Sequence, residues 1–294
     1  MNFHHDLAEI ARKNLKELGI VSSADWDDYM TYLKWLQIRQ RRLNSSIHYQ
    51  VRYSDELLQK LDHLPESDQN SVLDIERHLR NAEPITGYMS KSINSTSMKK
   101  SDFLLKVWNI YHVHLERKSE KKYLNPNLLF FQRMKNTIYF IDVRQHPVGN
   151  QWFSRELLGI VYDNWPELIH YIPGMKTVLE SGEPINLTDE QVFELMKNGI
   201  TTFVPFRDGA ILYTSGGIAA SGDGGIAVWI ANNVWNRLAQ YQLMFSRNQL
   251  TVCKKPNEES YRNGDYKLIY EDGRFLAYNK CPEKRIYLFK EPEI

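Results

Sequence analysis

Two histidines separated by one residue are the part of the sequence best suited to chemistry. His112 and His114 lie in the short apolar run 110–115, a pattern that predicts a strand. Because successive side chains of a strand point to opposite faces, both imidazoles are predicted to share one face. The other face would pack inside the protein through the remaining apolar residues of the run, which are Tyr111, Val113 and Leu115.

A predicted hairpin, formed by residues 128–133 and 137–146 around a short polar turn, adds further polar side chains. Strict alternation along its second strand divides the residues between two faces. One face would carry Phe140, Asp142, Arg144 and His146, and the other Tyr139, Ile141 and Val143. The predicted catalytic residues, which should converge in one cleft, are His112, His114, Arg133, Asp142, Arg144 and His146. Four cations of the adjoining loop are predicted to bind substrate: Arg117, Lys118, Lys121 and Lys122.

The first chemistry that such a set could perform is RNA cleavage without a metal ion. One imidazole would deprotonate the ribose 2′-hydroxyl, and a second would protonate the leaving 5′-oxygen. Histidine suits both transfers because its unperturbed pKa lies near neutral pH. An arginine would stabilise the dianionic phosphorane through its permanently charged guanidinium. On this hypothesis the protein needs no cofactor, and its partner is RNA.

Two alternatives stay open. In a metal-dependent hydrolase, His112, His114 and His146 would hold a divalent metal that activates water. In a non-enzymatic interaction module, the N-terminal helices would bind a protein partner. The glycine-rich stretch at residues 214–225 leaves a separate choice, because it could bind an anion through backbone N–H groups or allow close packing.

The elements that must position these residues predict an α+β fold. Residues 1–85 are typical of a helical region, residues 86–175 of a β-rich core, and residues 176–294 of a mixed region rich in hairpins. In the last region, residues 188–199 carry helix-capping signals, and residues 226–242 form an apolar helical pattern after the glycines.

Composition and charge exclude several classes of protein. The 294 residues include 37 basic and 36 acidic side chains, so a net charge of +1 excludes a generally basic coat for nucleic acid. The pattern of a secretory signal is absent at the N-terminus, and no apolar stretch is long enough for a bilayer. Cys253 and Cys281 match neither a disulfide framework nor a cysteine-rich zinc site. We therefore predict a cytoplasmic protein without a membrane partner.

The order of these elements adds one further expectation. A helix or turn at residues 102–108 is followed by the histidine strand, the hairpin and a helix at 154–164. This order resembles the core of bacterial toxins of the RelE/ParE superfamily, which are small ribonucleases. The resemblance implies that Arg133, Arg144 and His146 match basic or histidine positions of these toxins. It implies a bacterial or phage-related ribonuclease that acts as a toxin or phage-defence effector, although Gln145-His146-Pro147 replaces the lysine pair of ribosome-dependent members.

Overall fold

The computed structural model describes residues 1–96, 102–117, 125–146, 154–176, 187–198, 204–206, 210–213, 217–219, 221–247, 266–280 and 283–292. Within these residues the fold is α+β, as the sequence predicts, with N-terminal helices followed by mainly antiparallel sheets. The predicted substrate-binding residues Lys118, Lys121 and Lys122 lie outside the described residues. Among the described residues, no helix combines the length and the apolar character that crossing a bilayer requires.

The helices are α1 (Phe3–Glu17), α2 (Asp28–Arg42), α3 (Asp55–Leu61), α4 (Glu66–Arg80), α5 (Phe103–Trp108), α6 (Arg155–Asn164), α7 (Asp189–Lys197) and α8 (Gly225–Ser246). The strands are β1 (Gln50–Tyr53), β2 (Ile110–His114), β3 (Asn127–Met134), β4 (Thr137–Gln145), β5 (His170–Lys176), β6 (Val204–Pro205), β7 (Ala210–Tyr213), β8 (Tyr266–Glu271), β9 (Arg274–Lys280) and β10 (Glu283–Lys290). They form sheets of order β1-β4-β3-β2, β5-β7-β6 and β10-β9-β8.

The chain divides into two compact units. One comprises Met1–Ile38 and Ala227–Glu293, and the other comprises Arg39–Ile226. In the first unit, α1 packs on β8, and the Asp6 carboxylate accepts a hydrogen bond from the Leu268 N–H at 2.9 Å. The units differ from the predicted regions with boundaries near residues 85 and 175, because this contact joins the two ends of the chain.

Several elements of the last third form where the sequence predicts them. Thr188 and Gln191 make a reciprocal capping box at the start of α7, and α8 follows the glycines directly. The pair β6 and β7 is antiparallel, and so is the pair β8 and β9. Asp272 and Gly273 join β8 to β9 with φ values of 48° and 74°, which is the backbone that a tight hairpin turn requires.

The sheet β1-β4-β3-β2 carries the predicted histidine strand and hairpin. β3 and β4 pair antiparallel, which confirms the predicted hairpin. β2 pairs antiparallel with β3, and β1 pairs with β4 in parallel. β1 lies inside the region that the sequence predicts to be helical. Only four residues form it, and its partner β4 begins at Thr137, so local periodicity carries little signal for this strand.

The two faces of this sheet pack against different helices. One face joins α3 and α4 in a core that includes the sheet residues Tyr111, Val113, Leu129, Phe131, Ile138, Phe140 and Val143. The other face joins α5 and α6 in a core that includes Ile110, Leu128, Phe130, Tyr139 and Ile141. The helices thus cover the sheet on both sides, and the position of a residue in the register decides which core it meets.

A β-bulge at Ile141 changes the alternation along β4. Phe131 lies opposite Phe140, but the next pair is Phe130 with Asp142, so Ile141 is the extra residue. As a result Phe140 faces the α3/α4 core while Asp142 faces the other side. The predicted grouping of Phe140 with Asp142, and of Val143 with Ile141, is wrong for this reason.

Candidate active site

His112 and His114 share one face of the sheet, as strand alternation predicts. His112 lies opposite Phe130 and His114 lies opposite Leu128, and both partners belong to the α5/α6 core. Tyr111 and Val113 belong to the α3/α4 core on the reverse side. We call the surface that carries His112, His114 and His146 the histidine face.

A carboxylate that the sequence interpretation passed over contacts the first histidine. Asp102 is the N-cap of α5, and its Oδ1 accepts a hydrogen bond from the Leu105 N–H at 3.1 Å. Its other oxygen, Oδ2, lies 3.1 Å from Nδ1 of His112. Burial would raise the pKa of the Asp102 carboxyl, but the charge of His112 and these hydrogen bonds lower that pKa below its ordinary value. Asp102 is therefore ionised, and its carboxylate contacts the ring of His112 at Nδ1.

The other two histidines lie side by side. The ring centroids of His114 and His146 are 6.0 Å apart, and their planes meet at 27°. His146 is exposed, whereas only 7% of His114 is exposed. Burial lowers the pKa of the His114 imidazole to about 4, and the positive charges of His112 and His146 act in the same direction. His114 is therefore neutral at pH 7, next to an imidazole that is open to solvent.

Asp142 and Arg144 lie on the histidine face but bind other groups. Asp142 Oδ1 accepts a hydrogen bond from Lys60 Nζ at 3.1 Å, and its Oδ2 accepts one from Arg144 Nε at 2.7 Å. Arg144 also donates to Glu156 Oε2 at 2.7 Å. Asp142 lies opposite Phe130, which lies opposite His112, so two strand spacings of about 5 Å each separate Asp142 from His112. The carboxylate that orients His112 is Asp102.

Arg133 faces away from the histidines, which contradicts its predicted role. It lies opposite Ile138, a residue of the α3/α4 core, three positions after Phe130. An odd spacing along β3 turns the two side chains to opposite faces of the sheet. The predicted convergence of two arginines with the histidines is therefore wrong for Arg133.

Arg117 belongs to a different cluster. Its guanidinium donates to Asp74 Oδ2 at 3.0 Å, to the Tyr88 hydroxyl at 3.1 Å, and to Nε2 of His78 at 2.7 Å. Arg77 also donates to Asp74, at 2.5 Å. We call these five residues the Asp74 cluster. Arg117 is engaged with α4 by these contacts, so its predicted role in substrate binding has no geometric support.

The glycine-rich stretch packs against the helix that carries Asp102. Gly217 N–H donates to the Lys106 carbonyl at 3.2 Å, and Lys106 Nζ donates to the Gly222 carbonyl at 2.8 Å. A Cβ added to Gly224 would lie 3.2 Å from Cγ of Lys106. Asp223 is only 1% exposed in this stretch. Of the two predicted roles, close packing therefore fits the described geometry, because a buried carboxylate repels an anion.

Arg41, near the end of α2, adds a positive charge to this region. Burial lowers the pKa of its guanidinium, and the negative charges of Asp102 and Asp223 oppose that effect. Its Nη1 donates to the Ser95 carbonyl at 2.5 Å. The sequence signal at Arg41, a cation in the last turn of a helix, is common and did not single it out.

The metal-dependent alternative requires a set of ligands with suitable geometry. Among the described residues, no group of three or more His, Cys, Asp or Glu side chains could hold a metal ion. The three histidines share a face, but their described positions do not form such a set. The arrangement can instead orient one imidazole by a carboxylate and place two further imidazoles beside it.

Comparison of the chain with models of protein families, with curated proteins and with solved structures gives no match. Chemistry and geometry of the described residues are therefore the basis for a functional proposal.

Proposed function

We propose that the histidine face is the active site of a metal-independent ribonuclease. The observation that carries the proposal is the Asp102–His112 pair, with 3.1 Å between Oδ2 and Nδ1, on the same face as the His114–His146 pair. A carboxylate behind one imidazole and a second imidazole at the surface are the parts that general acid–base catalysis requires.

His112 is the general base of this proposal. A carboxylate at Nδ1 favours the tautomer that carries its proton there, so Nε2 is the proton acceptor. Asp102 also stabilises the imidazolium that forms when His112 takes the proton of the ribose 2′-hydroxyl. Asp102 thus acts as a positioning residue and touches no substrate atom.

His146 is the general acid, since its imidazole is exposed and can reach a leaving 5′-oxygen. His114, neutral at pH 7, lies beside it and can exchange hydrogen bonds with the substrate without adding a second positive charge. Arg144 lies on the same face, and a quarter of its side chain is exposed. Since Arg133 faces the other side of the sheet, we assign to Arg144 the electrostatic stabilisation of the phosphorane that the sequence predicts for an arginine.

RNA is the proposed substrate because its 2′-hydroxyl is a nucleophile inside the substrate itself, so two proton transfers suffice for cleavage. The order of β2, β3, β4 and α6, which resembles the core of RelE/ParE-superfamily toxins, supports the same choice. We extend the proposal to a bacterial or phage-related role as a toxin or phage-defence effector.

The test is a time course with end-labelled single-stranded RNA and purified full-length protein. Wild type, His112→Ala, His146→Ala and the surface control His63→Ala are compared with and without chelator. We expect each active-site substitution to lower the rate by about 10²–10⁴-fold, the usual range for general acid–base groups. The control and the chelator should leave the rate unchanged.

Two results would reject the proposal. Activity that disappears with chelator and returns with added divalent metal would favour a metal-dependent hydrolase. Intact RNA after long incubation with wild type at high concentration would favour a non-enzymatic module. Circular dichroism of each variant separates loss of catalysis from loss of fold.

A further inference from the structure

The sheet β10-β9-β8 has one buried side and one exposed side. Alternation along β9 places Phe275, which is fully buried, on the first side and both Leu276 and Tyr278 near it in sequence on the second. The register places Tyr287 of β10 opposite Leu276 and Arg285 opposite Tyr278, so both belong to the second side as well. Tyr287 is 58% exposed, which shows that this side of the sheet meets solvent.

Two tyrosines on the exposed side are diagonal neighbours. Tyr287 lies opposite Leu276, which is two residues before Tyr278 on β9. Diagonal positions on paired antiparallel strands are about 7–8 Å apart, which is within reach of aromatic side chains. Tyr278 is half-buried, and Tyr287 is exposed. Aromatic rings at this spacing on an open sheet can stack with successive bases of a single nucleic-acid strand.

Cations border these tyrosines. Lys267 of β8 and Arg285 of β10 lie opposite Tyr278, one on each side of it, and Arg274 lies further along β9. All three cations are exposed. Glu271 lies opposite Arg274 and accepts hydrogen bonds from Arg285 at 3.2 and 3.3 Å. Since about half of each side chain in this ion pair is exposed, the pair is weak, and cations outnumber carboxylates among the described strand residues of this side.

We propose that the exposed side of this sheet, which we call the tyrosine face, binds single-stranded RNA. Bases would stack on Tyr278 and Tyr287. Phosphates would contact Lys267, Arg274 and Arg285. Interleaved rings and cations suit a single strand, because every base has an aromatic face and every nucleotide carries a negative charge.

The choice of RNA as this strand rests on the proposed function, in which RNA is the substrate of the histidine face. The two faces are nevertheless different surfaces. The tyrosine face belongs to the unit that contains Ala227–Glu293, and the histidine face belongs to the unit Arg39–Ile226. The tyrosine face would therefore add affinity for RNA without taking part in the proton transfers.

Fluorescence anisotropy with labelled single-stranded 2′-O-methyl RNA, which lacks the nucleophile for cleavage, tests the full-length protein. Tyr287→Ala should weaken binding about 5- to 100-fold, the loss expected for one stacked base. Tyr287→Phe keeps the ring and should bind within about twofold of wild type. The matched control is Trp229→Ala, at an aromatic residue of α8 that is 55% exposed, and it should bind as wild type does.

The salt dependence of binding tests the cations. Each phosphate contact with a single strand contributes about 0.7 to the slope of log affinity against log salt concentration. Lys267→Met and Arg274→Met should each lower the magnitude of that slope by about this amount. Lys13→Met, which removes an exposed cation of α1, should leave the slope unchanged.

Binding that weakens in Tyr287→Ala at an unchanged melting temperature, and returns in Tyr287→Phe, would support the proposal. Equal affinity of Tyr287→Ala and Trp229→Ala would overturn it. Equal affinity of wild type for single-stranded and duplex RNA would overturn it as well, because paired bases are not open to stacking. Failure of wild type to cleave unmodified RNA would reject the proposed function alone, since the methylated strand measures binding in either case.

Discussion

Two of the Asp–His pairs among the described residues, Asp102–His112 and Asp74–His78, differ in what surrounds them. On the histidine face, Asp102 orients His112, and the neighbours are two further imidazoles. In the Asp74 cluster, the neighbours of Asp74 and His78 are the guanidinium groups of Arg77 and Arg117 and the hydroxyl of Tyr88.

The Asp74 cluster consists of groups that satisfy one another. Nδ1 of His78 lies 2.7 Å from the Asp74 carbonyl, and its Nε2 accepts from Arg117 at 2.7 Å. The Tyr88 hydroxyl donates to the Asp74 carboxylate, and the two arginines donate to it as well. These hydrogen bonds lower the pKa of the Asp74 carboxyl well below its ordinary value, although burial opposes them. The cluster thereby ties the end of β2 to α4.

The contrast shows that the groups beside an Asp–His pair decide whether the pair is suited to a structural or a chemical role. Guanidinium donors saturate the carboxylate and one ring nitrogen, so the pair becomes a structural connection. On the histidine face, burial and the two neighbouring imidazoles lower the pKa of His114 instead, which keeps that ring neutral. Four predictions test this difference, from the largest expected effect to the smallest.

The largest effect should come from exchanging each aspartate for its amide. Asp102→Asn should lower the rate of RNA cleavage by about 10²–10⁴-fold, since the amide no longer fixes the tautomer of His112. Asp74→Asn should change the rate by less than about threefold, which is under 1 kcal/mol in activation free energy, and should lower the melting temperature. Rate constants and thermal unfolding of both variants give the answer. A loss of cleavage in Asp74→Asn alone would reverse our assignment of the two clusters.

The second prediction concerns stability in mild acid. The pKa of His114 is about 4 in the folded protein and near 6.5 when unfolded, so the unfolded chain binds the proton more tightly. The stabilisation is complete above the unfolded value and is lost as the pH falls through 6.5 towards 4. We expect this residue to remove about 2 kcal/mol from the free energy of unfolding between pH 7 and pH 5.

Urea unfolding at both pH values measures this effect. On acidification, the free energy of unfolding of His114→Asn should fall by about 2 kcal/mol less than that of wild type. The exposed control His63→Asn should behave as wild type does. An identical pH dependence for His114→Asn and wild type would contradict the low pKa. Carboxyl groups contribute little in this window, because their unfolded pKa values lie near 4.

A smaller effect on stability is expected from substitution of Ser54, which hydrogen-bonds to the bulge residue Ile141. The Ser54 hydroxyl donates to the Ile141 carbonyl at 2.6 Å and accepts from the Leu57 N–H at the start of α3. Ser54→Ala should lower the free energy of unfolding by about 1–2 kcal/mol, from loss of the cap and of a buried hydrogen bond. Ser71→Ala on the surface of α4 is the control in urea unfolding. Equal stability of the two variants would show that the bulge holds without Ser54.

The smallest effect should follow from adding a methyl group at Gly224, which packs against Lys106 of α5. Gly224→Ala brings Cβ to 3.2 Å from the flexible Lys106 side chain, which can move aside. We expect less than about 1 kcal/mol of destabilisation and a modest loss of RNA cleavage, because α5 carries Asp102. Gly87→Ala is the matched control beside the Asp74 cluster, where the nearest atom is Cγ of Arg117 at 3.9 Å. A larger effect from the control would contradict this comparison.

Local patterns predicted much of the fold. Alternation in β2, the polar turn between β3 and β4, and the Thr188–Gln191 capping box each depend on a few neighbouring residues, and the structure confirms them. The same alternation in β3 also places Arg133 opposite the histidine face, although the interpretation grouped it with them. The alternation therefore predicts the face of Arg133 correctly, and the mistake was to group this residue with the histidines.

Other features depend on contacts between distant residues. The bulge at Ile141 arises from how β3 pairs with β4, and no residue type in β4 indicates a bulge at this position. Asp102 meets His112 because Asn109 ends α5 in the left-handed region, with φ of 56°, and turns the chain back. A sequence shows the cap and the strand separately, but the reversal between them decides whether they touch.

The parallel pairing of β1 with β4 has a consequence for synthesis of the chain. Gln50 lies beside Thr137, so 87 residues separate the partners, from 137 minus 50. At the usual rate of 5–20 residues per second, β1 leaves the ribosome roughly 4–17 s before its partner exists. During that interval α3 and α4 can form, but the edge that later joins β4 is unpaired. β1 can therefore join this sheet only after β4, the last of its strands to be synthesised, has left the ribosome.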